Sequence, residues 1–438
     1  MSDTERPADV GSDVESTVEE DPYAPTQVFP ESEDMDLRSG ADNCTKVGTC
    51  DAECPVAEVD DDFAGPQFQG PEQWRLTRKG EVEIDDSITK CSNCLKCDTG
   101  CPSGVPLGQM HNTARGKYVQ EEQPLSIKKI RNRILANYRT SAWLASKLPR
   151  TANFFMNFGP VRWAMEKTLK IPSEREFPAF ATQTFREWWD ERGGAQVHSE
   201  DKRVAYFHGC YSNYNTTGVA KAMVRTYEEL GYEIVVPKQK CSGTPMFANG
   251  RLDDARRHAE VNVEHLGQAI EEGYDVIATC TSCSLALRKE YPELFDLEGI
   301  HDLAAHTYDA LEYLRIHEDL ESKLADADVD DVPDLAYHAP CHSRNQGLDR
   351  QAVELFENLD GIEVTDVGES CSGISGTYGW KSEKYETSME IGEEMFEHME
   401  EADAQHGMTE CPTCAMQMEH GTGYEITHPI EVLEAALV

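Results

Sequence analysis

The chain has 438 residues, room for two or three domains at about 100–200 residues each, so it is no minidomain held together by staples. With 81 Asp and Glu against 40 Lys and Arg its formal charge is −41, a field that repels nucleic acid and anionic lipid, so any membrane contact has to come from a local basic patch. No charged-then-apolar leader opens the sequence and no run of about 18 apolar residues occurs, which predicts a cytoplasmic chain that does not span a membrane; the acidic excess suggests a halophile's salt-rich cytoplasm to screen it.

Residues 1–40 carry twelve acids, two bases and few large apolar side chains, a composition that cannot offset its ordering entropy, and are expected to form a disordered acidic arm. Residues 41–124 follow with seven cysteines in two groups. Cys91-x2-Cys94-x2-Cys97-x3-Cys101-Pro102 has the spacing by which ferredoxins wrap one cubane cluster with close-set thiolates and reach a second with the last. A zinc ribbon would need two separated Cys pairs. The first group, Cys44-x5-Cys50-x3-Cys54-Pro55, aligns with the second when Val47 takes the second ligand position. In the crossed arrangement Cys91, Cys94, Cys97 and Cys54 hold a [4Fe–4S] cluster, while Cys44, Cys50 and Cys101 hold the other with three thiolates. Valine cannot ligate iron, so a [3Fe–4S] cluster is expected there, with a [4Fe–4S] cluster carrying a nonprotein fourth ligand as the next choice. The Cys-to-Val departure resembles the three-iron site of succinate dehydrogenase and fumarate reductase iron–sulfur subunits.

Residues 125–200 reverse the charge. Between 125 and 170 lie Lys128, Lys129, Arg131, Arg133, Arg139, Lys147, Arg150, Arg162, Lys167 and Lys170, with Glu166 the only acid and Tyr138, Trp143, Leu144, Phe154, Phe155, Phe158 and Trp163 interleaved. The mixture fits an interfacial amphipathic helix on anionic lipid, or a linker helix that packs its rings in the core and sets its cations on an acidic partner.

Beyond 200 the chain repeats itself. Cys210, Cys241, Cys280 and Cys283 return as Cys341, Cys371, Cys411 and Cys414, at offsets of 131, 130, 131 and 131 residues, which marks a duplication into modules 201–330 and 331–438. In the first copy, strands are predicted at Val204–Phe207, Glu233–Val236 and Val276–Thr279, with helices to Leu230 and over Asp253–Glu272. The second copy follows with strands at Leu335–His338 and Ile362–Val367, a helix around Glu383–Glu401 and only a weak strand before Cys411. Such alternation implies a mostly parallel sheet with ligand sites beyond the carboxyl ends of its strands. The fold class is therefore α+α/β, an all-α dicluster ferredoxin domain followed by two α/β modules. Each module gathers four thiols from three segments, and Gly243 and Gly373 permit the positive φ and close backbone approach of a cluster pocket. His208, His338 and His342 flank these cysteines and read as structural histidines.

The order Cys, Cys-x-Gly, Cys-x2-Cys, occurring twice behind paired ferredoxin motifs, resembles the CCG-domain iron–sulfur subunits of heterodisulfide reductases and of lactate, glycolate and glycerol-3-phosphate dehydrogenases. The segment Cys371-Ser372-Gly373-Ile374-Ser375-Gly376-Thr377-Tyr378-Gly379-Trp380-Lys381, with Tyr385-Glu386-Thr387 and His338-Ala339-Pro340-Cys341-His342, looks most like the C-subunit family of the anaerobic glycerol-3-phosphate dehydrogenases. The resemblance implies an electron-transfer subunit with one or two further iron–sulfur clusters in the modules, a flavoprotein dehydrogenase partner with a second accessory subunit, menaquinone as acceptor, and attachment to the inner face of the cell membrane. Lactate or glycolate oxidase subunits and heterodisulfide reductase-like complexes are the alternatives. The family motif has two adjacent cysteines before glycine, whereas Ser242 and Ser372 replace the second here. Five-thiolate noncubane clusters would each lose a ligand, which favours one ordinary cluster per repeat or one shared between repeats. No G-x-G-x-x-G follows a strand and no Walker lysine motif occurs, so flavin and substrate chemistry belong to a partner.

Overall fold

The computed structural model describes residues 43–438 apart from 79–82, 326, 328, 330–331, 358, 360, 369, 403 and 405, so the acidic arm expected over 1–40 lies outside the described residues. Regular structure among the described residues of 43–124 is helical throughout: short turns at the cysteine loops and one longer helix, Leu107–Lys117, which lays Leu107, Met110 and Ala114 on a small core with Trp74 and Ile88.

Four parallel strands build the first module: β1 (Arg203–Phe207), β2 (Glu233–Val235), β3 (Asp275–Ala278) and β4 (Thr307–Asp309), in the order β2-β1-β3-β4. The run Val204-Ala205-Tyr206-Phe207 is buried without alternation because helices cover both faces of the sheet. Thr217–Glu229 covers one face through Val219, Ala220, Met223, Val224 and Tyr227, and Leu252–Glu271 the other through Ala255, Ala259, Val263 and Leu266, both at helical spacing. The second module repeats the plan with β5 (Leu335–Tyr337), β6 (Val364–Asp366), β7 (His406–Met408) and β8 (Glu425–Thr427), ordered β6-β5-β7-β8. The weak strand before Cys411 is thus a paired central strand. β4 and β8, each three residues long, have no counterpart in the sequence reading.

One hydrophobic cluster runs through both modules, from Val204, Tyr206 and Ile277 to Leu335, Tyr337, Met408 and Leu433. The contacts are reciprocal: helix Pro429–Leu437 of the second module packs on Thr217–Glu229 of the first, and Ala310–His317 of the first on Gln351–Phe356 of the second. In both sheets the strand order reverses at the central pair, β1/β3 and β5/β7, and the crevice beyond the carboxyl ends of those pairs is where such sheets bind ligands.

Candidate metal centres

The two ferredoxin-type loops share one backbone. Asn93 and Leu95 take left-handed φ of 63° and 60°, and their counterparts Lys46 and Gly48 take 60° and 79°. Each loop then enters a four-residue helix, Lys96–Thr99 or Thr49–Ala52, whose turns close with the same hydrogen bonds onto Cys101 and Cys54. Val47 therefore occupies the place that Cys94 has in the other loop, and its side chain is exposed. Burial pushes Cys54 and Cys94 up to about 12 and Cys97 well above the ordinary thiol range; the charges of Cys94 and Cys91 add to it at Cys54, those of Cys341 and Cys91 at Cys94, and those of Asp98, Cys94, Cys91 and Cys54 at Cys97. Burial raises Cys50 to about 11, helped by Asp51, Cys101 and Cys44. Cys91 is the exception. Burial alone would raise it, but Arg115 and then His111 bring it down to about 6, and the Asn93 N–H donates to its Sγ at 3.4 Å.

In the modules β1 leads through Gly209 to Cys210, β3 to Cys280, β5 to Cys341 and β7 to Cys411, while Cys241 and Cys371 follow β2 and β6. All eight thiols line one cavity of about 160 Å³, an order of magnitude more space than a single water needs. Cys210, Cys283, Cys341 and Cys414, which occupy equivalent positions in the two copies, are each pushed up first by the neighbouring thiol of the pair and then by burial. Four such thiols cannot all release their protons unless a cation takes their place, which is the condition for a metal–sulfur group. Glycine is required at the turns. A Cβ on Gly209 would lie 3.1 Å from Cys283 Sγ, and one on Gly373 2.1 Å from the Ser388 carbonyl oxygen. Gly243 and Gly373 hold φ of 98° and 75°, and the Gly373 N–H donates to Cys371 Sγ at 3.4 Å. Buried thiols in two fourfold sets, N–H groups aimed at sulfur and left-handed loops together fit iron–sulfur clusters. Among the described residues no three His, Cys, Asp or Glu side chains converge on a single metal ion.

The two serines make the same contact in each copy: Ser242 Oγ donates to Cys283 Sγ at 3.4 Å, and Ser372 Oγ lies 3.2 Å from Cys414 Sγ. Each hydroxyl thus stands beside the thiol set at the position of the missing cysteine. His342 is a bridge the sequence did not announce: Nε2 donates to the Asn93 carbonyl at 3.1 Å, leaving Nδ1 to accept from Ser282 Oγ at 3.0 Å, and Ser282 Oγ is 4.0 Å from Cys411 Sγ. One imidazole thereby joins the ferredoxin loop, the first module's Cys-x2-Cys turn and the second module's thiols. His208 lines the cavity and donates from Nδ1 to the Gly209 carbonyl, whereas His338 is fully buried with neither ring nitrogen partnered among the described residues. The ferredoxin loop is tied to the second module by Asn345 Nδ2 on the Cys94 carbonyl at 3.0 Å and by Ser375 Oγ on that of Ser92, and Cys94 itself lines the shared cavity.

The basic segment forms four helices, Ile127–Ala136, Tyr138–Ala145, Pro149–Met156 and Gly159–Leu169. Leu135, Met165 and Leu169 pack inward on Ile374 and Trp380, while Ile130, Ile134, Trp143, Leu144, Leu148, Phe154, Phe155, Phe158 and Trp163 are exposed. Three of its ten cations turn inward: Arg131 pairs with Glu383, Arg162 caps the Pro172 and Ser173 carbonyls over the Phe177 ring, and Arg139 donates to the Gly209 carbonyl at 3.4 Å beside Cys210. Among the described residues no helix is long and apolar enough to cross a membrane.

These features define an iron–sulfur protein with a dicluster loop pair ahead of two cysteine-rich modules, and the matched families agree: residues 40–105 match the 4Fe-4S dicluster domain, and residues 204–288 and 335–419 each match the CCG cysteine-rich domain. The chain is 34% identical over 407 residues to the C subunit of anaerobic glycerol-3-phosphate dehydrogenase from Escherichia coli K12, covering 90% of this chain and 98% of that protein, and it belongs to that C-subunit family. It is also similar to the B subunit of fumarate reductase (CoM/CoB) from Methanothermobacter marburgensis, at 24% identity over 89% of this chain and 70% of that one. Lactate utilization protein A of Geobacillus thermodenitrificans is 29% identical over 54% of this chain and 98% of its own length.

Proposed function

We propose that the chain is the iron–sulfur electron-transfer subunit of a membrane-associated dehydrogenase oxidising glycerol 3-phosphate, taking electrons from a partner's flavin and passing them to menaquinone at the inner face of the cell membrane. The carrying observation is that Cys94, of the four-thiol ferredoxin site, lines the same cavity as both module thiol sets, so that three cluster sites adjoin. In this reading residues 41–124 form an all-α dicluster domain. Cys54, Cys91, Cys94 and Cys97 hold a [4Fe–4S] cluster, and Cys44, Cys50 and Cys101 a [3Fe–4S] cluster. Cys210, Cys241, Cys280 and Cys283 serve the first module, and Cys341, Cys371, Cys411 and Cys414 the second. Bound clusters supply one-electron chemistry; the protein's part is to hold them close and dry. Tyr138 and Tyr211, stacked at 5.1 Å, and Phe177 and Trp380, tilted by 35° at 4.9 Å, give the cavity an aromatic lining that supports binding of a quinone ring. The exposed rings and cations of 127–169 support peripheral attachment to anionic lipid. The serines beside each thiol set count against heterodisulfide cleavage.

The test is anaerobic copurification. A flavoprotein should accompany the chain, glycerol 3-phosphate should bleach its iron–sulfur absorption, and deletion of 125–170 should release the complex from membranes. About seven irons per chain would mean that residues 41–124 alone are filled, about eleven or fifteen that the modules hold one or two cubanes. Colourless, iron-free protein after reconstitution would refute the reading.

A further inference from the structure

The motif from Cys371 to Lys381 contributes one thiol, yet Lys381 and, three residues on, Lys384 are 3% and 8% exposed. Lys384 lies against the Cys91 loop, and Lys381 is within electrostatic reach of Lys384 and Arg115. Lys384 Nζ donates to the Thr89 carbonyl and sits 4.3 Å from the centre of the Tyr378 ring, whose hydroxyl is within electrostatic reach of Cys91 and Cys54. Arg115, 1% exposed, acts on the same thiol. Its Nη1 donates to Asn93 Oδ1, Asn112 Oδ1 and the Phe247 carbonyl, all neutral, while Nε and Nη2 are buried without a hydrogen-bond partner among the described residues.

Anionic side chains do not balance these cations. Glu383 is taken by Arg131, at 2.7 and 2.8 Å, and burial lifts the Glu290 carboxyl to about 7, so that it is only partly charged at neutral pH. Burial and the like charges of its neighbours hold Lys381 well below the usual lysine range and bring Lys384 down to about 7. Without an anion beside them these lysines would give up their protons, and a negatively charged group among them would keep them charged. A cubane on four thiolates carries roughly two negative charges oxidised and roughly three reduced.

We propose that Arg115, Lys381 and Lys384 are the built-in counter-ions of the cluster held by Cys54, Cys91, Cys94 and Cys97, and that they raise its reduction potential. The proposal rests on the reading that those four thiols hold a cluster. Fixed positive charge favours the more negative, reduced form. At the Cys44, Cys50 and Cys101 site the Asp51 carboxylate acts on Cys50, and Arg75, which donates to the Cys44 carbonyl at 3.4 Å, is partly exposed and already paired with Glu72 at 3.0 Å.

The experiment is an EPR-monitored redox titration of anaerobically reconstituted full-length protein. Lys384→Met and Lys381→Met should each shift the one-electron equilibrium of the four-iron signal about tenfold toward the oxidised form, about 59 mV. Lys384→Arg should keep the wild-type midpoint, and the three-thiolate centre should titrate unchanged throughout. Wild-type midpoints in both Met variants overturn the proposal, as does an equal shift of both centres. If Lys384→Met binds less iron, recovery in Lys384→Arg supports the charge role and failure to recover refutes it. Wild-type protein that takes up no iron at residues 41–124 removes the underlying reading itself.

Discussion

Val47 stands where the sister loop places Cys94, and the backbone around it is unchanged, down to the left-handed residues on either side. A loop that had lost its ligand role would be free to drop the costly left-handed Lys46, so retention of that conformation argues for a three-thiolate cluster. Oxidised protein should then give the near-isotropic EPR signal of a three-iron centre, and Val47→Cys should replace it with that of a four-iron centre visible only after reduction; an unchanged spectrum would remove the three-iron assignment. The thiols that gather at the candidate centres were legible in the sequence because ligation needs one residue type at tight spacing. Arg115, Lys381 and Lys384, and the bridging contacts of His342, were not, because their roles depend on partners that only the fold brings alongside.

At the scale of elements, the Arg131–Glu383 pair clamps helix Ile127–Ala136 to the second module. Burial alone would raise the Glu383 carboxyl, but the hydrogen bonds and charge of Arg131 lower it from 4.5 to about 2. A carboxyl lowered in the fold contributes stability that is present above its unfolded pKa and is lost as pH falls from 4.5 toward 2. Glu383→Gln should cost roughly 2–4 kcal/mol at pH 7, since it leaves a buried guanidinium half-paired. The difference from wild type in thermal unfolding should shrink between pH 4.5 and 2, and a constant difference would show that charge is not the cause. Longer helices and the buried strands β1, β3 and β5 were readable from periodicity and apolar runs. The sequence His406-Gly407-Met408 was a weak strand signal because Gly407 packs its bare backbone against Ile426, Met418 and Met399, where the close approach of neighbours replaces side-chain propensity. The short strands β4 and β8 take their structure from pairing with β3 and β7 rather than from any pattern of their own.

For the whole molecule the charge of −41 is the dominant long-range quantity. The Debye length falls from about 10 Å at 0.1 M salt to about 3 Å at 1 M, so self-repulsion across the surface should be removed over that range. The midpoint of thermal unfolding should rise by several degrees as KCl goes from 0.1 to 2 M, with most of the gain below 1 M; a flat profile would mean that the acids are already compensated and would take away the basis for a salt-rich cytoplasm. The reciprocal packing of Pro429–Leu437 on Thr217–Glu229 and of Ala310–His317 on Gln351–Phe356 has a further consequence. Two separate copies of one module could associate in the same way, but such a homodimer would offer an incoming redox domain two identical faces and could not choose between them. Covalent fusion breaks the tie: the Cys91 loop meets Asn345 and Ser375 of the second module and, through Asn93, Glu290 of the first, so the two halves carry different contacts and each is free to diverge.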